Sequence, residues 1–169
     1  MMAAVQSQGS VSWPPVASLL PHHGNMVLLD EMLACDEQSA AALLCVKPDT
    51  PLSHADGRLP ASAGIELMGQ IVAAWAGWHA LQQGQPVALG FLLGTRRYAC
   101  RVPAFRPGER LRVSCVRTLD GGNGMSVFEC AIAMAIEPSD SAAPTVLAEA
   151  RLNVFKPPSV GEYLQESPP

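Results

Sequence analysis

The chain has 169 residues, 49% of them hydrophobic and 15% charged, with a formal net charge of −4. This composition excludes a disordered chain, fits one domain with an ordinary core, and argues against general nucleic-acid binding. A charged fraction well below the usual quarter suggests that another subunit covers part of the surface.

In chain order, residues 1–12 read as a flexible tail. They have neither the positive n-region nor the apolar h-region of a secretory signal. Pro14 and Pro15 lead into VASLL, a short helix with proline in its first turn. Met26 to Leu29 and Met32 to Cys35 read as a first strand. A turn at Asp36 to Gln38 leads to a second strand over Ser39 to Val46. The segment KPDTPLSHADGRL, rich in turn formers, breaks the pattern.

Pro60 to about Gln83 reads as a helix, with Gly84 at its end. It is apolar on nearly every face: Ile65, Leu67, Met68, Ile71, Val72, Trp75, Trp78 and Leu81. Such a helix is expected to be buried all round, wrapped by a sheet. Its longest apolar run is too short and interrupted to span a bilayer. After it come strands within Val87 to Val102, over Arg110 to Thr118, over Met125 to Ile136 and over Val146 to Phe155. DGGNG at 120–124 is a hairpin signal. Residues 157–169 read as a second tail, leaving a single domain over 13–156. The expected architecture is α+β, an antiparallel sheet of about six strands curled around one long central helix.

Five cysteines (Cys35, Cys45, Cys100, Cys115, Cys130) form an odd set without CxxC or zinc spacing, so no metal site is expected. Buried free thiols of this kind point to a reducing cytoplasm. Arg96, Arg97, Arg101, Arg106, Arg110, Arg112 and Arg117 crowd one region that holds a single acid, Glu109. It is either a solvated sheet face or a basic patch for an acidic protein or phosphate groups.

The stretch from His54 to Gln70, HADGRLPASAGIELMGQ, carries the chemistry. A carboxylate such as Glu66 is costly among apolar helix residues unless something requires it. A loop histidine beside it makes a general acid/base pair able to work near neutral pH. The bland alternatives are a surface histidine and a carboxylate favouring the helix N-terminus.

Four segments resemble the hotdog-fold (3R)-hydroxyacyl-ACP dehydratases. LPHHGNMVLLDEM resembles the family's opening segment, and HADGRLPASAGIELMGQ its histidine loop and helix. LGFLLGTRRYACRV with PAFRPGE resembles its later strand and turn, and ARLNVF its closing strand. The spacing between His54 and Glu66 is two residues shorter than the commonest family spacing. Ala55 and Asp56 replace the usual aromatic and proline, and the helix opens Leu59-Pro60-Ala61. This divergent pattern resembles a branch associated with aryl-polyene and related pathways.

The resemblance implies a hotdog fold, no cofactor, and loss of water from a 3-hydroxyacyl thioester carried on acyl carrier protein or CoA. His54 is then the base for the C2 proton and Glu66 the acid for the departing hydroxyl. Backbone N–H groups around Ala61, Ser62 and Ala63 are the expected oxyanion site, and Gln70, on the same helical face as Glu66, the support for its carboxylate. Family members pair the histidine and glutamate across subunits. The implied assembly is a homodimer or higher oligomer of hotdog dimers, or a heterodimer with a related subunit. An acyl tunnel along the helix and carrier-protein docking at Arg96, Arg97 and Arg101 are also implied. His22 and His23 belong, on the same resemblance, to a structural entry into the first strand, and His79 reads as a core histidine. The alternatives are a hotdog thioesterase using the helix carboxylate alone, and a non-catalytic acyl-binding subunit.

Overall fold

The computed structural model of the chain describes residues 12–135 and 143–159. Both tail readings fall almost wholly outside them. A 3₁₀ turn at Val16–Ser18 and another at Gly24–Met26 precede β1 (Glu31–Cys35) and β2 (Ser39–Cys45). A two-residue strand, β3 (Leu59–Pro60), and a 3₁₀ turn at Ala61–Ala63 lead into α1 (Gly64–Gln82). Then follow β4 (Phe91–Cys100), β5 (Ala104–Phe105), β6 (Arg110–Asp120), β7 (Met125–Met134) and β8 (Val146–Phe155).

Six strands form one antiparallel sheet in the order β1-β2-β6-β7-β8-β4, while β3 and β5 make a separate two-stranded pair. The expected hotdog arrangement is therefore present, with small differences. Of the first expected strand, Met32 to Cys35 lies in β1, whereas Met26 ends the 3₁₀ turn at Gly24–Met26 and Val27 to Leu29 are in no strand. Pro60 stands outside the helix, as the extended residue before the 3₁₀ turn.

The sheet closes on α1 through alternate residues. Leu111, Val113 and Cys115 of β6 point inward with Phe128, Cys130 and Ile132 of β7 and Ala148, Ala150 and Leu152 of β8. They meet Leu67, Met68, Ile71 and Ala74 of the helix in one core. Full burial of each large side chain in this set contributes about 1.5–3 kcal/mol. The helix is not buried all round in the single chain. Ile65, Glu66, Gly69, Ala73, Trp75, Ala76 and His79 remain partly exposed. That face borders a groove.

The segment before β1 is drawn tightly onto the helix. A Cβ on Gly77 would overlap the carbonyl of Leu19, so only glycine allows this backbone approach. Leu19 and Leu20 are buried beneath it, and Trp13 packs edge-on against Trp78 with ring centroids 4.9 Å apart.

Candidate active site

The start of α1 is built jointly by helix and sheet. Tyr98 of β4 donates its hydroxyl to the Ala61 carbonyl, and its ring occupies the space a side chain on Gly64 would need. Burial pushes the Tyr98 phenol well above its ordinary range, so it stays a donor. The Ala61 N–H donates to Pro103 O at 3.1 Å. That bond is a correction to the reading of Ala61 as an oxyanion donor, because its N–H is engaged by the loop before β5. Ser62, exposed, and Ala63, buried, follow it in the turn.

One turn further on stands Glu66, with 35% of its side chain exposed. Gln70 donates from Nε2 to Glu66 Oε1 at 2.9 Å. The same amide nitrogen donates to Met26 O at 2.6 Å, and Gln70 Oε1 accepts from Leu28 N at 3.0 Å. Gln70 is fully buried, and these bonds satisfy both its donors and its acceptor. It therefore holds the carboxylate and the entry segment together. His22, carried on that segment, brings Nε2 to 3.2 Å from Glu66 Oε1.

Beside this cluster an apolar groove of about 530 Å³ runs along the partly exposed face of α1. His22 and Glu66 line it together with Gly69, Ala73 and Phe128, and Trp75 and His79 line its further part. The Trp75 indole donates to Asp36 O at 3.1 Å, and His79 Nε2 lies 2.9 Å from the same oxygen. A carbonyl only accepts, so His79 carries its proton on Nε2. The Arg117 guanidinium lies 4.9 Å from the centre of the Trp75 ring. Trp75 thus contributes to the groove wall as well as to packing, and His79 is a satisfied histidine only partly removed from solvent.

His54 is elsewhere in the single chain. It is exposed at the head of a tight turn, with Gly57 N–H donating to its carbonyl at 2.9 Å and its own N–H donating to Arg58 O at 2.8 Å. Gly57 has φ +80° and faces Pro48, which makes glycine the fitting residue there. Beside His54, the Arg58 N–H and guanidinium hold the Asp56 carboxyl below the usual carboxylate range. His54 does not line the groove that contains Glu66.

Of the three arginines read as a docking surface, Arg101 pairs with Glu149 at 2.9 Å. Arg96 and Arg97 are exposed on β4, with Arg97 directly opposite Arg151 of β8. Among the described residues no group of three or more His, Cys, Asp and Glu side chains could hold a metal, and no helix is long and apolar enough to cross a membrane. The site residue not read from the sequence is His22. The only signal for it was its position in the apolar segment leading to β1, which says nothing about a helix residue more than forty positions on.

A six-stranded antiparallel sheet closed on one central helix is a fold shared with known proteins. The dehydratase heterocomplex ApeI:P from Xenorhabdus doucetiae includes a chain 31% identical to this one, covering 91% of this chain and 97% of that one, with a TM-score of 0.78. More distant structures share the fold alone. AziG of S. sahachiroi is 15% identical over 78% of this chain and 91% of that one (TM-score 0.55). Zebra fish thioesterase superfamily member 2 is 12% identical over 83% and 91% (TM-score 0.58). No curated protein matches the sequence. The family model of the ApeP-like dehydratases matches residues 14–165, a span that takes in the entry segment, the helix with Glu66 and Gln70, and all the strands. The chain belongs to the ApeP-like dehydratase family.

Proposed function

We propose that this dehydratase removes water from a 3-hydroxyacyl thioester, with Glu66 as the acid that protonates the departing hydroxyl. The observation that carries this reading is the placement of Glu66, fixed by Gln70 at the side of an apolar groove large enough for an acyl chain. In the reaction a base takes the proton on C2, and its electron pair becomes the C2–C3 double bond. The C3–O bond breaks toward oxygen, and Glu66 supplies the proton that completes water. Charge builds on the thioester oxygen as the C2 proton leaves. N–H groups at the buried end of α1, at Ser62 and Ala63, are the donors proposed for it.

The base is His54 of a second hotdog subunit. Its absence from the groove lining within one chain and the partly exposed face of α1 both favour an assembled site. The substrate's carrier is acyl carrier protein, an acidic partner suited to exposed Arg96 and Arg97, with Arg101 contributing if its pair with Glu149 opens. Five free cysteines fit a reducing, cytoplasmic setting.

The test is conversion of a 3-hydroxyacyl-ACP to its conjugated enoyl thioester, followed by ultraviolet absorbance. Glu66→Gln and His54→Ala should each lower the rate by a factor of about 10² or more. An undiminished rate in Glu66→Gln removes the acid assignment. Thiol release from acyl-CoA that needs Glu66 but survives in His54→Ala would instead indicate a thioesterase.

A second reading concerns the assembly. The match to a chain of a dehydratase heterocomplex favours a heteromer, in which this chain supplies Glu66 and a related subunit the histidine. Turnover by the purified chain alone excludes that arrangement as a requirement.

A further inference from the structure

His22 is held by its neighbours on both sides. Leu19 is seated against Gly77 of α1, and Met26 and Leu28 are clamped by Gln70. The ring between these anchors has Nε2 3.2 Å from Glu66 Oε1, and Nδ1 is buried with no hydrogen-bond partner among the described residues. A neutral imidazole carries one proton. A proton on Nδ1 would be buried without an acceptor, whereas one on Nε2 faces a carboxyl oxygen.

Oε1 then receives two N–H groups, from His22 and from Gln70. Oε2 receives none among the described residues. A carboxyl oxygen with both lone pairs engaged in this way has no room for a proton of its own. Resting on the reading of Glu66 as the acid, we propose that His22 is a positioning residue that, with Gln70, saturates Oε1 and so confines the acid proton of Glu66 to Oε2. That proton passes from Oε2 to the 3-hydroxyl oxygen as the C3–O bond breaks, and Glu66 is left as the carboxylate. The base holds the C2 proton, and exchange with solvent returns one proton to Oε2 and releases the other from the base. His22 neither gains nor loses a proton in the cycle.

The experiment compares His22→Phe, His22→Gln and Glu66→Gln in the full chain in its active assembly, with the melting temperature of each. His22→Phe keeps the ring volume and removes the donor. It should lower kcat for dehydration about 10- to 100-fold while KM moves less than about twofold. His22→Gln places an N–H near the former Nε2 and should recover kcat to within about threefold of wild type. In ¹⁵N-histidine spectra of the wild-type protein without substrate, His22 should show protonated Nε2 and unprotonated Nδ1.

Wild-type kcat in His22→Phe, no rescue by glutamine, or a proton on Nδ1 would each overturn the proposal. The spectrum decides even if His22→Phe does not fold. If Glu66→Gln keeps full activity, the acid reading has failed. If Glu66→Gln is inactive and His22→Phe is unaffected, only the role of His22 has.

Discussion

Gln70 is a buried amide whose three hydrogen bonds reach a carboxylate, a carbonyl and an N–H on two parts of the chain. Gln70→Leu keeps the bulk but leaves Met26 O and Leu28 N without their partner. Each buried polar group so orphaned costs about 1–3 kcal/mol, so urea unfolding should show a loss of about 2–6 kcal/mol. Dehydratase activity should fall as well, because Glu66 loses a support. The thiols give a second test at this scale. Burial pushes Cys35 up to about 11 and Cys115 up to about 12, and raises Cys130 further, whereas Cys45 is exposed. Brief alkylation of the native protein at pH 8 should label Cys45 and spare Cys115 and Cys130, as read by peptide mass spectrometry. The i, i+4 spacing of Glu66 and Gln70 was legible in the sequence because a helix puts such residues on one face. The place of His22 was not, because it depends on how a non-helical segment crosses that helix, and no periodicity encodes such a crossing.

At the scale of elements, the contact between the entry segment and α1 turns on Gly77. Gly77→Ala inserts a methyl group against the backbone of Leu19, which cannot rotate away. The expected loss is about 1–3 kcal/mol or more in urea unfolding, with His22 displaced in the same variant. The turn between β1 and β2 has its own pH dependence. N–H groups of Gln38 and Ser39 and the Ser39 hydroxyl hold the Asp36 carboxyl below its usual value. Its stabilisation is therefore complete above the unfolded value, near pH 4, and fades as pH falls through the folded one. The gap in melting temperature between wild type and Asp36→Ala should be widest near pH 6 and should narrow below about pH 4. Some strands were readable directly: Val146 to Phe155 is β8 as expected, and DGGNG marks the β6–β7 hairpin. The helix was read as buried all round because its composition is apolar all round. The fold instead leaves Ile65, Gly69, Ala73 and Ala76 beside a groove, since one sheet of this size cannot enclose every side of the helix.

For the whole molecule, the reading of a shared site makes a quantitative claim. In a homodimer, mixing His54→Ala and Glu66→Gln subunits creates one intact site in each mixed dimer and none in the parents. Half the dimers would be mixed, so activity should return to about a quarter of wild type after exchange of subunits. A site made within one chain would return nothing. The sheet order has a further consequence, in the timing of synthesis. β4 pairs with β8, the last of the described strands to be made, and its opposite edge has no neighbour among the described residues, where Leu92 and Leu93 are exposed. A chain still on the ribosome can assemble α1 with β1, β2, β6 and β7, yet β4 must wait until Phe155 has emerged. Until then Tyr98 is not held in place over the Ala61 turn, so the start of α1 is completed only after β8 has been made. Stalled chains ending before β8 should accordingly be cut by protease within β4, and chains extended past Phe155 should be protected there.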